Sequence, residues 1–336
     1  MKSKFFISSW QAMILLVISS IATTVLFVPA GMATIVKQDN WLAAILGTFL
    51  AAIFLIYPLA ALGMRFPDKT MVEYSVSILG RFLGKIYGAL LVFMLFMIHF
   101  NTLRELSELM SFFLEETPME FIIAIFAFGC AYAVNRGFET ISRAGEITFL
   151  LGIFAIVIIG AASIPDIKLV NLVPVLEQGI LPVFRASIHV TDWLATGFIF
   201  GMFTSRVSKK DNLKKIGLTG IVIGGGILIG LSILNTLVYG GKIISILNFP
   251  LLALARNADI PVIERGEVFV IILWISWIFI RASLFSYCTV TGLAQLFNLA
   301  DYRFLILPET VLAIVCAIYF FGSYIDLSYH FMVSSP

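Results

Sequence analysis

The stretch Ser20-Ile21-Ala22-Thr23-Thr24-Val25-Leu26-Phe27-Val28-Pro29-Ala30-Gly31 lies in the middle of the first apolar segment, residues 8–36. A helix needs about 20 residues to cross a bilayer, so this segment has room for an interruption. Pro29 lacks a backbone N–H, and its ring clashes with the carbonyl of Val25. The residues Ala22-Thr23-Thr24 are small enough to let another helix or a ligand approach. The stretch favours a helix broken at membrane depth, with an ordinary proline kink as the alternative.

The composition identifies a polytopic membrane protein. Of 336 residues, 60% are hydrophobic and 12% are charged, and the mean hydropathy is +1.03; soluble domains carry roughly 25% charged residues. Cys130, Cys288 and Cys316 lie in apolar runs without paired spacing, which predicts packing rather than a disulfide or a metal site. No phosphate loop, HExxH motif or catalytic triad is evident, so we predict a protein that is not an enzyme, has no cofactor and binds no nucleic acid.

Hydrophobic runs divide the chain into nine predicted spans within one integral membrane domain, residues 1–336. The spans are residues 8–36, 41–63, 83–114, 119–135, 146–164, 184–205, 214–239, 267–296 and 304–322. Lys and Arg concentrate in the loops on the side of the N-terminus, which predicts a cytoplasmic N-terminus.

The sixth span resembles the first in being interrupted. It carries Thr191, Asp192, Thr196 and Gly197 in otherwise apolar sequence. Unusual segments at corresponding positions of two halves are typical of inverted-repeat transporters. We therefore predict an all-α, LeuT-like five-plus-five helical bundle, with repeat one at residues 8–164 and repeat two at residues 184–336. No tenth apolar span follows the ninth, so we expect the second repeat to be incomplete.

Two connections have recognisable local structure. Residues 65–74 predict a turn and a short amphipathic helix, with Asp68 or Thr70 as its N-cap. Residues 251–256 predict a re-entrant or surface helix. The third span keeps helical spacing beyond the expected membrane boundary, where Arg104, Glu105 and Glu108 alternate with apolar residues.

Several stretches, in the same order and spacing, resemble the permease-like B subunit of bacterial spore germinant receptors, in the amino acid–polyamine–organocation transporter superfamily. They are Phe66-Pro67-Asp68-Lys69-Thr70-Met71-Val72-Glu73-Tyr74, Phe112-Phe113-Leu114-Glu115-Glu116-Thr117-Pro118, Arg136-Gly137-Phe138-Glu139-Thr140-Ile141-Ser142-Arg143, Asn171-Leu172-Val173-Pro174-Val175-Leu176 and Ile263-Glu264-Arg265-Gly266-Glu267. The resemblance covers residues 8–322. This sequence departs from the family pattern at Ala22-Thr23-Thr24, where relatives tend to have Gly-x-Gly, and at Phe198, near which relatives often carry an acid.

The resemblance implies a sensor of a small nutrient, an amino acid or a sugar, in the spore inner membrane. Such subunits work with a larger A subunit and a lipoprotein C subunit and trigger germination. An ion-coupled amino acid transporter and an inactive truncated paralogue are the alternatives.

The predicted ligand-binding residues come from the interrupted spans and from span eight. They are Ala22, Thr23, Thr24, Asp192, Thr196, Gly197, Arg281 and Ser283. An arginine inside a membrane span is costly and should face a partner or a water-filled cavity. The functional interpretation is that Arg281 contacts a carboxylate or pairs with Asp192. The alternatives are a structural ion pair and a side chain that snorkels to the membrane surface. Phe93, Phe96 and His99 form a predicted gate on span three, although core packing of the two phenylalanines and neutral hydrogen bonding of His99 are alternatives.

Overall fold

The computed structural model describes residues 6–257 and 266–320, apart from the side chains of residues 266–270 and 273. Within these ranges the chain is helical, with one isolated bridge between Ile7 and Val207. Among the described residues, six helical segments are long and apolar enough to cross a membrane. Five of them correspond to predicted spans three, four, five, seven and eight, and the sixth, Thr24–Arg65, joins the second half of span one to span two. Spans six and nine and the first half of span one consist of shorter helices. The predicted incomplete end of repeat two and the motif residues Glu264 and Arg265 lie outside the described residues.

The first span is broken, as predicted. Helix α1 (Ser9–Ile21) begins with a capping box, in which Ser8 Oγ accepts from the Gln11 amide and the Gln11 side chain accepts from the Ser8 amide. The helical pattern is interrupted at Ala22 and Thr23, and α2 (Thr24–Val36) follows. Pro29 lies inside α2, so the interruption precedes the proline by several residues.

The sixth span is broken in a similar way. Helix α8 (Ile180–Ala195) passes into a 3₁₀ turn at Thr196–Ile199 and then into the single turn α9 (Phe200–Phe203). This 3₁₀ turn packs against α1, and α8 packs against α2. Phe27 of α2 stacks on Trp193 of α8 with ring centroids 5.8 Å apart. The two interruptions therefore meet in the core.

The remaining helices of the N-terminal half are α3 (Asn40–Ala51), α4 (Tyr57–Arg65), α5 (Met71–Ser111), α6 (Met119–Arg136) and α7 (Phe138–Ala162). Gly80 has a φ of 79° and separates the short helix at the start of α5 from its long span. The predicted short helix is confirmed, and Thr70 is its N-cap. Asp68 instead pairs with Lys210 Nζ at 2.6 Å.

The helices of the C-terminal half are α10 (Leu213–Tyr239), α11 (Gly241–Ile244), α12 (Pro250–Asn257), α13 (Gly266–Leu296) and α14 (Ile306–Tyr319). Helix α12 confirms the short helix predicted at residues 251–256. Helix α13 packs closely on α5 and α7. A Cβ atom at Gly152 of α7 would lie 2.4 Å from the Trp277 ring, so the small residue permits this approach. The three cysteines are free thiols, as predicted.

Candidate functional site

A cavity of about 210 Å³ lies beside the two interruptions. Three parts of the chain line it. Helix α5 contributes Met94, Ile98, Asn101 and Glu105, and α13 contributes Arg281. The region of the α8 break contributes Asp192, Trp193, Ala195, Thr196 and Phe198. The α5 residues share one face, because their spacing of four, three and four positions follows the helical repeat. The cavity therefore lies between the break after α8 and the two long helices α5 and α13.

Arg281 holds the break in α1 to α13. Its side chain is buried, with a relative exposure of 2%. Its Nη1 donates to the carbonyl of Ser19 at 2.8 Å, and its Nε donates to Thr102 Oγ1 at 3.3 Å. A carbonyl near an interrupted helix needs a partner from elsewhere in the protein. The buried guanidinium supplies it, so Arg281 does not snorkel to the membrane surface.

Two more side chains satisfy carbonyls at this break. Thr196 Oγ1 lies 3.1 Å from the Ser19 carbonyl and also donates within its own turn to Trp193. Trp274 Nε1 donates to the Ala22 carbonyl at 2.7 Å. The interruption is thus tied both to the second broken helix and to α13. These partners explain how the break can persist at Ala22 and Thr23, several residues before Pro29.

Glu105 supplies the negative charge that faces Arg281. It is buried, with a relative exposure of 3%, and the opposite charges of the two side chains attract each other. Asp192, the partner considered from the sequence, is more exposed and lines the same cavity. The cavity therefore presents one guanidinium and two carboxylates.

The predicted ligand residues divide into two groups. Asp192, Thr196 and Arg281 line the cavity. The remaining five are buried around it without being part of its lining; they are Ala22, Thr23, Thr24, Gly197 and Ser283. A Cβ atom at Gly197 would lie 2.9 Å from Ser20 Oγ, so this glycine allows the two breaks to approach each other.

The predicted gate residues lie on another face of α5. Phe93 and Phe96 line a groove between α5, α13 and α14, and Phe93 is 56% exposed. His99 Nδ1 lies 2.6 Å from Glu309 Oε1, and Glu309 Oε2 accepts from Ser286 at 2.9 Å. This buried polar cluster joins α5, α13 and α14. The hydrogen-bonding alternative for His99 therefore agrees with the geometry, and the gate stays a prediction.

Sequence reasoning missed Glu105 and Asn101. It placed Glu105 beyond the membrane boundary of the third span, where charged residues are ordinary. In the structure Arg104, Glu105 and Glu108 are all buried, and Arg104 Nη2 pairs with Glu108 Oε1 at 2.8 Å. The available signal was the shared helical face of Ile98, Asn101 and Glu105.

Comparison with known proteins identifies the family. A family model described as spore germination protein matches residues 6–325. The chain belongs to the spore germination protein family. This finding confirms the resemblance seen in the sequence motifs.

Two curated relatives come from Bacillus subtilis (strain 168). Spore germination protein KB is 28% identical over 300 residues, which cover 87% of this chain and 79% of the relative. Spore germination protein YndE is 28% identical over 303 residues, which cover 87% of this chain and 81% of the relative.

Solved transporter structures share the fold. MhsT in complex with L-phenylalanine matches with a TM-score of 0.66 at 17% identity, over 96% of this chain and 80% of that chain. A substrate-bound Na⁺-coupled sialic acid symporter matches with a TM-score of 0.61 at 15% identity, over 96% of this chain and 75% of that chain. These similarities confirm an all-α, LeuT-like membrane fold.

Proposed function

We propose that this spore germination protein is the nutrient-sensing, permease-like subunit of a germinant receptor and that an amino acid binds in the cavity beside the two broken helices. The observation that carries the proposal is that Arg281, Glu105 and Asp192 line one cavity. A free amino acid carries a carboxylate and an ammonium group. Arg281 is suited to the carboxylate, and either acidic side chain is suited to the ammonium group. A sugar has no charges to match this arrangement.

A ligand at this site has a direct route to the conformation of the protein. The Ser19 carbonyl is shared by Arg281 and Thr196, which belong to different elements. A ligand carboxylate that draws the guanidinium towards the cavity weakens the tie between α1 and α13. If the signalling form binds the amino acid more tightly than the resting form, the population shifts towards signalling and triggers germination.

The proposed setting follows from the family and the charge distribution. We place the protein in the spore inner membrane with a cytoplasmic N-terminus, because Lys and Arg favour the loops on that side. Its proposed partners are the A subunit and the lipoprotein C subunit of the receptor. The support for these partners is membership of the spore germination protein family.

The second candidate is an ion-coupled amino acid transporter. It is favoured by the similarity in fold to MhsT, whose structure contains L-phenylalanine, and to the Na⁺-coupled symporter. The inactive-paralogue alternative depended on the C-terminal sequence, which lies outside the described residues.

Binding and uptake measured on the same protein separate the first two candidates. Purified full-length chain is titrated with an amino acid panel in a thermal-shift assay, and the best ligand is then tested as a radiolabel in liposomes. We expect saturable binding without concentrative uptake. Concentrative uptake driven by an ion gradient would replace the sensor with the transporter.

A matched pair of variants tests the position of the site. Glu105→Gln removes a carboxylate from the cavity, and we expect it to weaken binding by tenfold or more, as for the loss of a charge-assisted hydrogen bond. Glu139→Gln removes a partly exposed carboxylate from α7 and should leave the affinity unchanged. Equal affinities for both variants would place the ligand elsewhere.

A further inference from the structure

An apolar groove runs along the outer face of the helix bundle, separate from the nutrient cavity. It has a volume of about 370 Å³ and lies between α5, α13 and α14, where Phe93, Phe96, Leu293 and Leu312 contribute apolar surface. Helix α5 is long and apolar enough to span a membrane, and Phe93 is 56% exposed. The groove therefore opens towards the hydrocarbon of the bilayer.

The acidic residue in this groove has both carboxylate oxygens engaged by other side chains. Glu309 accepts from Ser286 through Oε2 and contacts His99 through Oε1. Both carboxylate oxygens thus have partners behind the groove wall. A carboxylate satisfied in this way leaves an apolar groove that is suited to a hydrocarbon chain.

A polar pocket adjoins one end of the groove. It has a volume of about 560 Å³ and includes Arg81, Lys85, Gln295 and Asn298. Among the described residues neither cation forms an ion pair. Glu73 also lines the pocket, but its Oε2 accepts from the Thr70 amide as part of the helix cap. The pocket therefore offers two cations and two side-chain amides to an anion.

The groove and the pocket adjoin at Leu296, which lines both. Arg81 and Lys85 follow the kink at Gly80, near the start of the long span of α5. A positively charged pocket at the end of an apolar, membrane-facing groove has the two chemical parts of a phospholipid site. A soluble phosphate would use only the pocket, and a hydrocarbon alone would use only the groove.

We propose that an anionic phospholipid binds here, with one acyl chain in the groove and its phosphate head group between Arg81 and Lys85. Gln295 and Asn298 supply amide donors to the head group. The acyl chain covers the groove side of the His99–Glu309 cluster and keeps water away from it. The lipid thereby bridges α5, α13 and α14 through residues that do not line the nutrient cavity.

Native mass spectrometry of the full-length chain in neutral detergent tests the head-group assignment. The probes are dioleoyl phosphatidylglycerol and dioleoyl phosphatidylcholine, which share acyl chains and differ in head-group charge. We expect the wild type to prefer phosphatidylglycerol by about 30-fold, the effect of two cations near a membrane surface. Arg81→Gln with Lys85→Gln should abolish the preference. The control Arg136→Gln with Arg143→Gln removes two exposed cations from another region and should retain it.

A second variant pair tests the groove. Ala89→Trp fills it, and we expect weaker retention of both lipids, whereas Leu90→Trp adds the same ring one residue along, outside the groove lining. Soluble glycerol phosphate should fail to displace the bound lipid. Any one of four results would overturn the proposal. They are equal binding of the two lipids by the wild type, equal effects of the target and control variants, displacement of the lipid by glycerol phosphate, and a lipid-free dimer that buries the groove.

Discussion

Replacing Arg281 with methionine tests the charge pair at the centre of the nutrient cavity. Arg281 and Glu105 are buried, with relative exposures of 2% and 3%. Methionine has a similar length and no charge. The variant therefore leaves Glu105 buried without its opposite charge and removes the 2.8 Å hydrogen bond to the Ser19 carbonyl.

The expected loss follows from the burial of the pair. Removing one partner of a buried ion pair costs about 3–5 kcal/mol, because the remaining charge is uncompensated. Arg281 and Glu105 attract each other without forming a close pair of this kind, so this range is the upper limit of the expected loss in stability. For a chain of 336 residues this upper limit corresponds to a fall in apparent Tm of about 4–7 °C. The double variant Arg281→Met with Glu105→Gln removes both charges. We therefore expect its Tm to fall, relative to the wild type, by at most half as much as the Tm of Arg281→Met alone.

The assay is thermal unfolding in detergent at one fixed scan rate, since unfolding of membrane proteins can be irreversible. Arg143→Met is the control, because Arg143 pairs with Glu139 at the surface with side-chain exposures of 68% and 40%. An exposed pair contributes about 1 kcal/mol or less. The reasoning is refuted if Arg281→Met matches Arg143→Met, or if Glu105→Gln adds to the loss instead of reversing it.

Three further predictions address other contacts. Trp274→Phe keeps an aromatic ring but removes the hydrogen-bond donor to the Ala22 carbonyl. Calorimetry should show a loss of about 1–3 kcal/mol in the free energy of unfolding, and an unchanged melting profile would contradict the contact. Asp192→Asn should weaken amino acid binding while preserving Tm, and isothermal titration with unaltered affinity would exclude Asp192 from the site. Glu309→Gln should lower Tm by several degrees through its 2.6 Å contact with His99; no change would show that the contact is not stabilising.

Much of the fold could be predicted because membrane helices leave strong signals in sequence. The first and sixth spans were recognisable from small, hydroxyl and helix-breaking residues in apolar runs. The small residues Ala22-Thr23-Thr24 indicated where the first break lies, but the partners of its carbonyls were less accessible, because Arg281, Thr196 and Trp274 come from distant parts of the chain. Pro29 is a local signal for a kink, but these tertiary hydrogen bonds accompany an interruption several residues earlier.

The acidic partners were the hardest part of the site to predict. Glu105 and Glu309 lie near the ends of apolar runs, where acidic residues normally face water or lipid head groups. Their burial depends on how α5, α13 and α14 pack; the helical face shared by Ile98, Asn101 and Glu105 hints at it for Glu105 but does not say which helices cover that face. Arg281 was recognisable because an arginine well inside a span is rare and costly. Its partner among several acids became evident only from the three-dimensional arrangement.

Isothermal titration with blocked amino acids tests the central claim most directly. The best free amino acid from the panel is compared with its N-acetyl and carboxamide derivatives, each of which lacks one of the two charges. We predict saturable binding of the free amino acid and a loss of at least tenfold in affinity for either derivative. Undiminished binding of the derivatives, or no binding of any amino acid to the folded full-length chain, would contradict the proposed site.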